Sequence, residues 1–222
     1  MIHVYAVLDE NAEVPPFEGI DDEPVAALPV EGLTAAISVL RQPAEPSGDN
    51  LVRHADVVDL LARVNNAVVP ARFARPLESR EALVAAMGPR APELRAALAR
   101  VRGCLELSVL VFRPAAERAS SLKPRALTGA EYLRLRLAER TAADRLTEEL
   151  TTPLARHARA SVAKRVSSPN FVLGRRYLVE AGRVDAFRAA VLAVTREHPK
   201  LSIICTGPWP PYSFVEGGTE AP

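Results

Sequence analysis

Cysteine is nearly absent from this chain, with only Cys104 and Cys205 among 222 residues. A disulfide-stapled scaffold is therefore excluded. Because the two lie in different halves, each in an apolar strand-like run, they are expected to be buried thiols in a reducing, cytoplasmic setting. No stretch approaches the roughly 18 consecutive apolar residues that a membrane-spanning helix needs. The amino terminus, MIHVYAVLDE, has no basic leader and turns acidic after one short apolar run, which argues against a secretory signal. An excess of one charge sign is missing too, since 28 basic and 27 acidic side chains leave a net charge of +1. No overall field draws the chain to nucleic acid or to an anionic membrane, and its partners must be recognised locally.

Catalytic signatures are also lacking. There is no glycine-rich phosphate loop, no Gly-x-Ser-x-Gly elbow, no cysteine pair at metal spacing and no His-Glu-x-x-His helix. No catalytic, cofactor-binding or metal-binding residue is assigned, and no cofactor is expected. His54 shares a helix with Asp56 and Asp59, but the second residue along a helix points away and the fifth reaches only the flank, so a surface histidine is expected. His157 and His198 stand among basic or loop residues with no second ligand nearby in sequence.

Aromatic residues make up only 5% of the chain, yet three fall together near its end in the run Thr206, Gly207, Pro208, Trp209, Pro210, Pro211, Tyr212, Ser213, Phe214. Each proline fixes its own φ and extends the residue before it, so the run reads as a stiff arm barred from helices and from central strands. Trp209, Tyr212 and Phe214 could stay exposed as partner-binding anchors or fold back as a plug over an open apolar face. The plug is the expectation, because a lone Trp is highly buried on average.

The length suits two α+β domains, each able to bury its own core. In the first, residues 2–8 read as a strand, 25–28 and 33–40 as two strands meeting at a turn, and 67–73 as another strand. A helix capped by Asp49 or Asn50 runs to about Val64. Helices over 78–87 and 92–102 end at Gly88 and Gly103, each placed where a positive φ is wanted, and a strand follows over 104–112. The order approaches a ferredoxin-like sandwich with additions, a sheet with helices on one face. Residues 114–127 lack a period and form the expected linker between domains at 1–113 and 128–222.

In the second half, residues 128–167 read as helical, with Pro153 kinking or dividing the helix. An i, i+4 stripe of Leu146, Leu150, Leu154, Ala158, Val162 and Val166 crosses that point. A strand over 170–180, a helix over 184–197 and a strand over 201–205 lead into the arm. Arg156, Arg159, Lys164, Arg165, Arg175 and Arg176 form a basic tract with no acidic residue between Glu149 and Glu180. Plain solvation of a helix and strand face is its first reading, an acidic protein partner the second and RNA the third.

The arm TGPWPPYSF, placed after a strand-like 201–205, resembles the C-terminal signature of the gas vesicle protein F and L family (GvpF/GvpL). Further segments are similar in order and spacing: Tyr5 in the first strand, His54 on an apolar helix, VVPARF with Val68, Pro70, Arg72 and Phe73, GCLE with Gly103 and Glu106, TGAEYL with Gly129, Tyr132 and Leu133, and YLV at 177–179. Ala74 stands where the family usually has Gly, and Leu107 where an aromatic often follows the Glu. The resemblance implies a ferredoxin-like first half and a non-enzymatic accessory role at the gas vesicle. Its implied partners are the major shell protein, held against aggregation during vesicle nucleation, and other accessory proteins. From the residues alone, a small-ligand enzyme or sensor with an interdomain cleft is the alternative, and RNA binding a further one.

Overall fold

The computed structural model describes residues 1–74, 76–114 and 128–215. They form two compact α+β units, Met1–Glu106 together with the segment from Pro208, and Leu107–Gly207. In the first unit, β1 (Ile2–Asp9) is the centre of a four-stranded sheet with β2 (Ala26–Val30), β3 (Leu33–Val39) and β4 (Val68–Pro70), in the order β2-β3-β1-β4. The pairings β1–β3, β1–β4 and β2–β3 are all antiparallel. This is the strand order of a ferredoxin-like sheet. Pro29 lies in β2, an edge strand, where its missing donor does least harm. Glu31 and Gly32, with φ of 49° and 70°, make the left-handed two-residue turn that joins β2 to β3.

The connection between β1 and β2 is a loop, as its acidic, proline-bearing sequence suggests. No α-helix bridges β1 and β2; the connection carries only a short 3-10 turn, Ile20–Asp22. Tyr5 pins that connection instead. The register skips at Tyr5, between Val4 opposite Ile37 and Ala6 opposite Ala36, so this β-bulge adds an extra side chain to one face. Its phenol accepts from Ile20 N at 2.9 Å and donates to Ser38 Oγ at 3.1 Å. Gly19 passes so close that a Cβ there would collide with the Tyr5 hydroxyl and lie 2.8 Å from Ser38 Oγ.

Helices cover both faces of the sheet rather than one. On one face Tyr5, Ala6, Leu8 and Val68 pack with Val57, Val58 and Leu61 of α1 (Gly48–Val64). Val7 and Val69, neighbours in β1 and β4, point the other way, toward α2 (Arg80–Met87) and α3 (Ala91–Val101). A strand buried on both faces needs a nearly continuous apolar run, and β1 has one. Ser47, not Asp49 or Asn50, caps α1 by accepting from Asn50 N. Gly103 has the expected positive φ of 68°, whereas Gly88 is helical at φ −52° and leads through a 3-10 turn into α3.

The second unit is built on a sheet ordered β6-β7-β5-β8, from β5 (Cys104–Phe112), β6 (Ala160–Ala163), β7 (Phe171–Glu180) and β8 (Ser202–Trp209). Because β5 is hydrogen-bonded between β7 and β8, the unit begins at Leu107 rather than after residue 127. Except for Pro114, the expected linker at 114–127 lies outside the described residues. Leu150 and Leu154 of α4 (Gly129–Ala155) pack with Val109, Val111 and Tyr177, and with Val191 and Val194 of α5 (Val184–Glu197). Thr128 and Glu131 form a capping box at the start of α4.

Pro153 sits inside α4 without dividing it, and the helix ends at Ala155. Ala158, Val162 and Val166 therefore do not continue a helical stripe, and Val162 belongs to β6. From Gly129 to Arg145 every residue of α4 is exposed. No helix of the described residues is long and apolar enough to cross a membrane.

Candidate functional site

The C-terminal arm begins as strand and ends as a clasp on the first unit. Thr206, Gly207, Pro208 and Trp209 complete β8, which is an edge strand, so Pro208 is tolerated there. Pro210 and Pro211 are buried, and Tyr212–Phe214 form a 3-10 turn. That turn is fixed by Glu106, a carboxylate only 6% exposed, whose two oxygens accept from Ser213 N at 2.8 Å and Ser213 Oγ at 2.9 Å. Arg100 of α3 donates to Phe214 O at 2.9 Å. A buried carboxylate holding two donors gains charge-assisted bonds in a medium that strengthens them.

The three aromatics of the arm have separate fates. Phe214 is fully buried, as a plug requires, but Trp209 is 49% exposed and does not plug the fold. Tyr212 is half-buried, packs against the α1-side core and also lines a groove on the sheet's opposite side. Burial, with the negative Asp59 nearby, pushes its phenol up to about 12, so it remains a protonated donor at that wall.

The groove has a volume of about 330 Å³. Val4, Val7 and Val69 form its floor, Leu83, Met87 and Leu94 its helical wall, and Tyr212 and Val215 its closing side. Arg72, just after β4, and Arg90, between α2 and α3, are its charged lining residues. Its chemistry is that of a receptor for apolar matter.

His54 is buried, not a surface residue. Its Nε2 lies 2.9 Å from Ala71 O, a pure acceptor, so Nε2 carries the proton and Nδ1 accepts from His3 Nε2 at 2.8 Å. His3, Tyr5, His54 and Phe73 form a ring cluster with centroids 4.9 to 5.7 Å apart. Burial first, and His54 second, lower His3 to about 4; His54 is lowered by burial, an effect its bond to Ala71 opposes. The spacing of His54, Val57, Val58 and Leu61 is that of one helical face, a signal that could have placed this histidine inside.

The basic tract does not gather on one surface. The pleat of β7 sends Arg175 and Arg176 to opposite faces. Arg175 donates to the buried Ser161 at 2.6 Å, and Arg159 pairs with Glu180 at 3.0 Å. Arg156 and Arg165 are exposed and Lys164 half-buried. Cys104 is buried on β5, and Cys205 half-buried on β8. Among the described residues no three potential ligands gather as a metal site.

A family model described as "Gas vesicle synthesis protein GvpL/GvpF" matches residues 1–216. The chain belongs to the GvpL/GvpF family. Gas vesicle protein F1 of Halobacterium salinarum is 24% identical over 219 residues, covering 97% of this chain and 92% of that protein. Gas vesicle protein L of a Streptomyces species is 33% identical over 138 residues, 54% of this chain and 51% of that one. Crystal structures of GvpF from Anabaena sp. PCC7120 and Microcystis aeruginosa share the fold, with TM-scores of 0.80 and 0.77 at 19% and 18% identity. Each covers 97% of this chain, over 95% and 98% of their own lengths. An accessory role in gas vesicle synthesis follows from the family.

Proposed function

We propose that this GvpL/GvpF member binds the apolar gas vesicle shell protein and keeps it from aggregating during vesicle nucleation, acting as a holding factor and not as an enzyme. One observation carries the reading: the apolar groove walled by β1, β4, α2 and α3 and closed by Tyr212. A shell subunit awaiting assembly exposes surface that would otherwise self-associate, and a groove of this chemistry covers such surface reversibly. Trp209, half-exposed on the same arm, adds an aromatic anchor of the kind that dominates interfaces.

Co-expression with the shell protein tests it. Soluble shell protein should rise and then saturate at a fixed ratio, with no need for nucleotide or metal, because a holding factor occupies its client. Ala86→Trp should remove the effect, since Ala86 is an exposed residue of the groove wall and an indole there would cover it. Equal shell aggregation with and without excess of this protein would end the proposal.

A further inference from the structure

We infer that the groove recognises an acid-bearing apolar segment of a protein partner, in which a small group of aliphatic side chains is flanked by carboxylates. The inference rests on the holding-factor reading and gives its site a partner chemistry. Both charged groups on the groove wall are arginines, Arg72 and Arg90, and among the described residues no carboxylate lines it. Acids and bases are almost equal in number along the chain, so a lining of one sign is a local property and not a reflection of overall charge. Arg90 also lies 3.9 Å from Glu93, a loose surface contact that leaves its guanidinium available for a better-placed acid.

Size limits what enters. A cavity of about 150 Å³ already accommodates a benzene ring, so the 330 Å³ here suits roughly two apolar side chains and no folded element. Area that small cannot by itself fix the direction or register of a bound segment. Two arginines at its margin can, because opposite charges at a rim select orientation and penalise partners of the wrong sign. Guanidinium groups also take carboxylates in a bidentate, planar fashion that sets geometry as well as attraction. A cationic or neutral apolar segment gains only burial, whereas an acid-flanked one is also held in place.

The test uses the full chain and three short synthetic peptides of one leucine-faced design, with the leucines flanked by glutamate, glutamine or lysine. Binding is followed by fluorescence anisotropy at low and high salt. The glutamate peptide should bind about tenfold more tightly than the glutamine one at low salt, with the lysine peptide weakest and the gap closing as salt rises. The double variant R72E/R90E should reverse the order, and Ala86→Trp should weaken all three. These three positions are exposed, and thermal melts establish that the variants fold. Equal binding of all three peptides, lost in Ala86→Trp, overturns the acid preference and leaves the holding-factor reading standing. Unchanged binding in Ala86→Trp overturns the groove as the site. Tighter binding of sodium dodecanoate than of the glutamate peptide, with displacement of that peptide, overturns the protein partner in favour of an amphiphile.

Discussion

His3 donates through Nε2 to Nδ1 of His54 across 2.8 Å, where both residues are buried. The pair is neutral when folded, and both rings are lowered below their usual value, His3 to about 4. The unfolded chain binds protons near pH 6.5 that the folded chain refuses. Stability from this pair is therefore fully present above about pH 6.5 and is lost as pH falls toward 4. His3 alone should account for about 2 to 3 kcal/mol of that loss. Urea unfolding of the native chain and His3→Asn over this range checks it: the variant should have the shallower acid slope, and parallel curves would refute the assignment.

Phe214→Ala and Trp209→Ala should separate cleanly. The first empties a fully buried position and should lower stability by about 3 to 5 kcal/mol. Loss of the half-exposed indole should cost roughly 1 kcal/mol or less. Thermal melts of the two variants decide, and similar losses would contradict the separate roles described for the two rings.

Glu106→Gln keeps the shape of the clasp but removes its charge, leaving an amide that still offers one acceptor to Ser213. A loss of about 1 to 2 kcal/mol is expected. With the 3-10 turn loosened, Tyr212 and Val215 should leave the groove wall, seen as faster proteolysis of the C-terminal segment. An unchanged digestion pattern would remove Glu106 from that role.

Gly174→Ala should disturb β6 and β7. An added Cβ would sit 2.6 Å from Lys164 O, a backbone atom that cannot swing aside. Strain of about 1 to 3 kcal/mol is expected. Faster amide exchange at Lys164, whose N–H donates to Gly174 O, is the local readout.

Elements with a strong single period were legible from residues alone. Helix α5 runs Val184–Glu197 as read, because Val184, Phe187, Val191 and Val194 repeat at helical spacing and are the residues it buries. The β2–β3 turn was legible for another reason, since Pro29 and Gly32 interrupt the apolar run there; Gly32 takes a positive φ in the turn, while Pro29 lies in β2. Strand β6 was hidden because Leu154, Ala158 and Val162 are spaced four apart and mimic a helix across its end. Glu106 is an acid within an apolar strand, but its partner Ser213 lies 107 residues away and no local pattern joins them. The groove was invisible for the same reason. Its walls come from separate elements, each reading only as apolar on one side, and the space between them exists only once they are packed.

The clasp also makes the first unit discontinuous along the chain. Residues 1–106 supply its sheet and three helices, yet the turn that satisfies Glu106 and the tyrosine that closes the groove arrive only with residues 208–215. During synthesis from the amino terminus, the groove stays unfinished until the whole second unit has been translated and the arm has emerged. A nascent chain that stops short of Tyr212 lacks the closing side of the groove and the partner of Glu106.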